Sequence, residues 1–471
     1  MVTLKECDKL KGVLIMSRRN IDILGGSVFK NMWLFAFPIM LTGILQLLYN
    51  AADIVVVGRY GGENSLAAVG ATTSITNLLI NLFVGLSVGT NVLVAQFKGQ
   101  GTAGGSELVK KCVHTSVVIS VLGGIFLTVV GASLSYTLLD MMDTPKEIIG
   151  EASLYMIIIF LGMPASLLYN FGSAILRASG DTKTPLIYAS VSGIVNVVLN
   201  LFFVIGFKMG AAGVGLATII SQYLSAGLTA GFLMKQDSDI KLSLKELKLD
   251  MGMLKKISRI GVPSGISGVL FAISNVIIQS SINGFGATAI AGNSAAANIE
   301  GFGYIVMNAF SPTLSTFVGQ TFGAGDTKKM KKSIYIGCLE VVVIGAFVSF
   351  LILAFAEPLL DIYAPGKTGV IAEGVKRLYI ILSTYFICGL MEALVGALRG
   401  MGSSIIPTLA TVIGICGMRF SWIYTVFEKY KTLESLYLSY PVAWLVTDIA
   451  LVIFLIFVTR KVVRSFKAAQ E

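Results

Sequence analysis

The sequence predicts an all-α polytopic membrane protein, twelve transmembrane helices in two six-helix repeat lobes. Three observations predict it. Charge is too scarce to cover a soluble surface, apolar runs of about 20 residues recur along the chain, and a set of short elements returns 222 residues after its first appearance.

Of the 471 residues, 55% are hydrophobic and 13% charged, and the mean hydropathy is +0.81. A soluble domain carries about 25% charged residues. Apolar runs, cut at charged or Gly/Pro breaks, give spans near 29–57, 65–96, 112–138, 150–176, 184–206, 211–234, 257–283, 286–322, 333–356, 374–398, 404–427 and 437–459. Each can cross a hydrocarbon core of roughly 30 Å. The first thirty residues carry Lys5, Lys9, Lys11, Arg18, Arg19 and Lys30 without a short apolar core and cleavage site, so they do not read as a signal peptide. Met16 is an alternative start.

Placing the N-terminus in the cytoplasm puts 27 of the 36 Lys and Arg in cytoplasmic segments and 8 in external loops, Arg377 among the latter, with Arg419 inside a span. This is the bias of the positive-inside rule. It accounts for the net charge of +10 as a topology signal, and nucleic acid drops out as a partner. The expected layout is a cytoplasmic N-tail (1–28), an N-lobe (29–234), a cytoplasmic connector (235–256), a C-lobe (257–459) and a cytoplasmic C-tail (460–471) in a bacterial plasma (inner) membrane. Cys7, Cys112, Cys338, Cys388 and Cys416 lack metal-ligand spacing and fall in spans or cytoplasmic segments, so free thiols are expected.

The repeat is visible residue by residue. Leu176-Arg177-Ala178-Ser179-Gly180, with Pro185 beyond, reappears as Leu398-Arg399-Gly400-Met401-Gly402 with Pro407 beyond. The same offset takes Gly62 to Gly284 and Gly70 to Gly292; with a two-residue slip, Gln96–Gly101 matches Gln320–Gly325. Six spans per copy is an even number, so both copies share one orientation. Such repeats mark secondary transporters that rock around a cavity, although old duplications also occur in channels and membrane enzymes.

Enzyme chemistry is missing from the sequence. No glycine-rich turn ends in Gly-Lys-Ser/Thr, and no nucleophilic triad or paired-metal carboxylate set stands out. His114 reads as a structural histidine, with a proton relay as the alternative.

Ionisable residues within spans are the informative set, because each is costly to bury in lipid. They are Asp53, Glu300, Glu340, Glu392, Asp448 and Arg419. Asp53 follows Tyr49-Asn50-Ala51-Ala52 in span one, where desolvation of a carboxyl group favours its neutral form and brings proton uptake within reach. Its repeat mate is Asn275, so only the N-terminal copy keeps the acid. Asn196 and Asn200 share one helix face, and Thr218 follows in span six. With Asp53 they can hold a hydrogen-bonded proton site or give hard oxygens to sodium; helix–helix glue is the plain alternative. Glu392 and Glu300 are the carboxylates of interest in the C-terminal copy. Glu340 and Asp448 are expected to be satisfied structurally, and Arg419 to snorkel, pair with an acid or contact substrate. Pro38 and Pro164 are plausible bending points.

Tyr49-Asn50-Ala51-Ala52-Asp53, Val57-Gly58-Arg59-Tyr60, Leu66-Ala67-Ala68-Val69-Gly70, Asn196-Val197-Val198-Leu199-Asn200, Ile205-Gly206-Phe207 and the two Leu-Arg-x-x-Gly elements together resemble bacterial multidrug and toxic compound extrusion (MATE) transporters over about residues 25–460. The resemblance implies export of organic cations or other amphipathic compounds in exchange for H+ or Na+ by alternating access, with no cofactor. It implies ion coupling at Asp53, Asn196, Asn200 and Thr218, where Asn200 replaces the family's second carboxylate. A C-lobe glutamate and aspartate of sodium-coupled relatives would fall on Phe271 and Cys388, which cannot do that job; Glu392 stands one turn along. Tyr49, Asn50, Asn275, Glu300, Glu392 and Arg419 are the candidate substrate-cavity residues. Expected partners are small amphipathic or cationic substrates and membrane lipids, with the exporter monomeric. The alternative is a flippase for a lipid-linked oligosaccharide or peptidoglycan precursor, disfavoured because only Arg419 of the basic residues is available within the spans. A passive channel or scaffold would not require a buried acid in one repeat only.

Overall fold

The structure, a computed structural model, describes residues 20–468, with backbone only at 73–75 and 77–79. Cys7 and Met16 lie outside the described residues, and the other four cysteines are free thiols. Long apolar stretches without interior charge form helices because lipid leaves the backbone no other hydrogen-bond partner. Nine described helices are long and apolar enough to span alone: α1 (Val28–Gly61), α2 (Glu63–Gly99), α3 (Ala103–Asp140), α5 (Lys183–Gly206), α6 (Gly210–Met234), α7 (Met251–Asn283), α9 (Thr327–Ala354), α11 (Ile405–Tyr430) and α12 (Leu433–Ala468). Two spans are bent: α4 (Lys146–Leu161 and Met163–Ala178, 43°) and α10 (Thr368–Leu382 and Tyr385–Gly400, 47°). The remaining one, α8 (Ala287–Asn308 and Phe310–Gly323), is rich in Gly, Ala, Ser and Thr, and most of its second segment is buried. No strand occurs among the described residues.

The helix starts repeat along with the sequence. Ser27 caps α1 and Asp250 caps α7; Thr102 caps α3 and Asp326 caps α9. Each side-chain oxygen accepts a backbone N–H that the first turn leaves orphaned. The left-handed turns repeat too, with φ of 94° at Gly180 and 80° at Gly402. Gly62 (φ 87°), however, matches Gly286 (φ 88°) and not the expected Gly284. The two-residue slip therefore lies before the α1–α2 turn and its counterpart. The α4 bend centres on Gly162, just ahead of Pro164. Pro38 stays inside α1, where its carbonyl accepts from the Thr42 hydroxyl at 2.8 Å.

The two halves meet along α2. Gly85 and Gly89 lie directly on the α7 backbone at Gly265 and Gly261, where any Cβ would collide. Further along, Gly99 faces the Gln320 backbone and Gly323 faces the Gln96 backbone, a reciprocal crossing of α2 and α8. Two hydrogen bonds complete the reciprocity at 2.8 Å each, Gln96 Nε2 to the Gly400 carbonyl and Gln320 Nε2 to the Ala178 carbonyl. Small residues give close approach, and backbone acceptors give polar ties that lipid cannot replace.

Candidate functional site

The four residues expected to couple an ion converge, from three helices. Tyr49 of α1 lays its ring over Gly193 of α5, and its hydroxyl donates to the Ser190 carbonyl at 3.3 Å. A larger residue at 193 would overlap that ring. This approach brings Asp53, one turn on, against α5. There the Asn200 amide donates to Asp53 Oδ1 and also to Asn196 Oδ1 at 3.3 Å. Thr218 Oγ1 of α6 lies 3.5 Å from Asp53 Oδ2 and 3.4 Å from the Asn196 amide nitrogen, while donating to the Val214 carbonyl at 2.9 Å. Asn196 and Asn200 are buried and Asp53 half-buried. Asn200 Oδ1 is buried with no hydrogen-bond partner.

Both helices turn π-helical immediately afterwards, α1 at Val57–Gly61 and α5 at Leu201–Gly206. Such segments shift backbone bonds out of register and recur at functional sites. The four residues carry a carboxylate, two amide carbonyls and a hydroxyl, and the Asn200 amide nitrogen that now meets Asp53 must turn away before all of these oxygens can serve one ion. Such a set suits a proton or a hard cation.

The C-terminal half carries a different arrangement. Glu300 of α8 takes a two-pronged ion pair from Arg377 of α10, Nε to Oε1 at 2.8 Å and Nη2 to Oε2 at 2.7 Å. Arg377 also donates to Asn293 and stacks on Tyr437 and Tyr440. It is 5% exposed, which corrects its placement in an external loop. α10 starts at Thr368, earlier than expected, and carries residue 377 inward. Arg419 pairs with no acid and does not snorkel. It is 1% exposed, donates to Asn275 at 2.8 Å and Ser274 at 3.2 Å, and lies over the Tyr440 ring at 4.1 Å. Its Nε and Nη2 have no hydrogen-bond partner among the described residues. Glu392 accepts from the Tyr304 hydroxyl at 3.1 Å.

Glu340 and Asp448, expected to be satisfied, have both carboxyl oxygens buried without a hydrogen bond. His114 is structural: Nδ1 meets the Lys110 carbonyl at 2.7 Å, and Nε2 accepts from the Ser243 N–H of the connector at 3.1 Å.

A central cavity of about 460 Å³ lies between the halves, and Glu392 lines it. A second cavity, of about 390 Å³, is lined by Asn275, Glu300, Arg377 and Arg419, with Phe271 and Tyr304 shared between the two. Tyr49 and Asn50 line neither; Tyr49 packs on α5 and Asn50 is exposed. Sequence reasoning missed Arg177 and Arg399, which line the central cavity. The spans read from the sequence end at 176 and 398, one residue short of each, and with Arg377 these two overturn the view that Arg419 is the single basic residue within the spans. The duplicated Leu-Arg-x-x-Gly element was the available signal.

The profile of the MatE family matches residues 38–202 and again 263–425, one match in each half. The chain belongs to the MATE family. It is thus a membrane-embedded transporter of the multidrug-efflux class, and its helices carry the twelve-span fold of that family. The "Probable multidrug resistance protein YoeA" of Bacillus subtilis is 28% identical over 92% of this chain and 95% of its own length. A protein of Shewanella oneidensis named "FAD transporter" is 23% identical over 69% of this chain and 72% of its own. A MATE transporter solved in an outward-facing conformation superposes with a TM-score of 0.86 at 22% identity, over 96% of this chain and 99% of its own. None of these is described as a flippase, and that alternative has no support.

Proposed function

We propose that this MATE transporter is a secondary antiporter that exports amphipathic organic compounds in exchange for an ion, H+ or Na+, bound at Asp53. The observation that carries the reading is the Asp53–Asn200–Asn196–Thr218 network, drawn from three helices, with a buried Asn200 oxygen left unpaired. A proton or sodium arriving at Asp53 withdraws the carboxylate from its Asn200 and Thr218 bonds. α1, α5 and α6 then repack next to two π-helical segments. Gln46 of α1 lines the central cavity and lies two turns from Asp53, about 10 Å along the axis. A shift of α1 is therefore felt by the substrate. Coupling arises because ion and substrate favour different arrangements of the same helix.

The Gln96/Gln320 crossing seals one end. On the orientation proposed from the basic residues, with both termini cytoplasmic in the bacterial inner membrane, that end would face the cytoplasm and the central cavity would be reached from outside. Relatives named for drug resistance and for FAD transport support an organic cargo. The test is efflux of ethidium and of neutral and anionic fluorophores from proteoliposomes, with pH and sodium gradients imposed separately. Accumulation against a concentration gradient, driven by one ion and lost in Asp53→Asn, is the expected result. Gradient-independent leakage would contradict the antiporter reading, and unimpaired Asp53→Asn would contradict the site.

A further inference from the structure

We infer that Arg177 and Arg399 form an oxyanion-binding subsite in the central cavity, so that the cargo includes organic anions bearing a phosphate or carboxylate group. The inference rests on the transporter reading and narrows its substrate class.

The two arginines are repeat mates at the ends of α4 and α10, one from each half, and both line the one cavity. Neither makes a hydrogen bond or an ion pair with any described residue, and the Nε of each is buried without a partner. Arg377, by contrast, is fully engaged by Glu300 and Asn293. A guanidinium presents five donors in a planar fork matched to carboxylate and phosphate. Both side chains are half-buried, with the Nε of each cut off from water and the rest of the fork turned to the cavity, so an oxyanion held there supplies acceptors that the protein does not.

Among the described residues Glu392 is the one acid lining this cavity; it accepts from the Tyr304 hydroxyl and attracts Arg399 across the space without forming an ion pair with it. The remaining polar lining is neutral and includes Asn91, Asn170 and Asn308. Next door, Arg419 holds two further unpartnered nitrogens. Across the two cavities, Arg177, Arg399, Arg377 and Arg419 face Glu392 and Glu300. A cation in the central cavity would meet two free guanidiniums; an anion would satisfy them. At about 460 Å³ the space suits a drug-sized molecule.

The probes are riboflavin 5′-phosphate and riboflavin, which differ by one phosphate, with ethidium as the cation. Binding is read by fluorescence anisotropy on the full chain in phosphatidylcholine nanodiscs without any gradient, so its outcome is independent of ion coupling. The phosphate compound should bind about tenfold or more tightly than riboflavin, as a charge-assisted contact implies. Arg177→Gln and Arg399→Gln should each erode that preference and the double variant remove it, with ethidium binding retained or strengthened as the positive charge is lost. Arg177→Lys and Arg399→Lys, which keep the charge, should retain part of it, and melting curves identify any variant that has lost its fold. Equal binding of the two flavins, binding of neither, or a preference that survives the double variant in folded protein would overturn the inference. Replacing the lipid by phosphatidylglycerol separates the sources. A preference that persists supports a soluble anion, and one that disappears would assign the subsite to a lipid headgroup and overturn the cargo.

Discussion

At the scale of single residues, the account turns on which polar atoms are already paired. Asp53 and Glu300 are both intramembrane acids, yet Glu300 is locked in a two-pronged pair with Arg377, while Asp53 contacts only neutral donors. A fixed pair is a structural tie; a carboxylate held only by a neutral amide and a hydroxyl can exchange an ion. We therefore expect Glu300→Gln to act on stability, because it leaves Arg377 buried and unmatched. Breaking a buried pair on one side costs about 3–5 kcal/mol, which should appear as a lower melting temperature. Glu300→Gln combined with Arg377→Met should recover much of that loss. If Glu300→Gln melted like wild type and abolished transport, the assignment of a structural role would be wrong. Asp53 and its partners were legible in the sequence because an acid in an apolar run is conspicuous. Arg377 was not legible, since a charge three positions into a span reads as an outer-end residue until the helix is seen to start at Thr368.

At the scale of helices, close approaches set where the polar groups stand. Tyr49 over Gly193 aligns α1 with α5 and so brings Asp53 to Asn200. Gly193→Val should force the ring aside, at about 1–3 kcal/mol for overpacking, and should weaken ion-driven transport without touching the network itself. Transport at the wild-type rate in folded Gly193→Val would show that this register is not needed. The α2–α8 crossing makes a second prediction. Gln96→Ala with Gln320→Ala removes both reciprocal bonds to the Gly400 and Ala178 carbonyls and should raise the population opened at that end. A cysteine placed at Ser264, on the central cavity, should then react faster with a membrane-impermeant thiol reagent added from that side. Unchanged labelling would mean that the glycine contacts alone hold the end shut. The elements that carry the repeat were read correctly, but the slip was misplaced. A backbone turn with positive φ marks Gly286 as the mate of Gly62, and glycine spacing alone cannot distinguish Gly284 from it.

At the scale of the whole molecule, two copies of one six-helix unit face each other with matched surfaces and unmatched chemistry. Fold class and span count follow from hydropathy and repetition, which depend on composition more than on contacts. The two arginines escaped notice because a charge at a helix end reads equally as a loop residue or a cavity wall, and only the packing of both halves decides. On the proposed reading the asymmetry is functional: the N-terminal half takes the ion at Asp53, and the C-terminal half holds a saturated ion pair. Transport coupling is a property of the assembled whole, and linkage requires it to run in both directions.

The central claim, that ion and cargo exchange through Asp53, is therefore tested most directly in reverse. Proteoliposomes are given a steep gradient of a transported fluorophore and no ion gradient, and internal pH and internal sodium are followed in wild type and in Asp53→Asn. The account predicts that the cargo gradient moves one of the two ions uphill in wild type and neither in Asp53→Asn, while cargo binding persists in both. Cargo movement with no ion displacement in wild type, or the same displacement in Asp53→Asn, would contradict it.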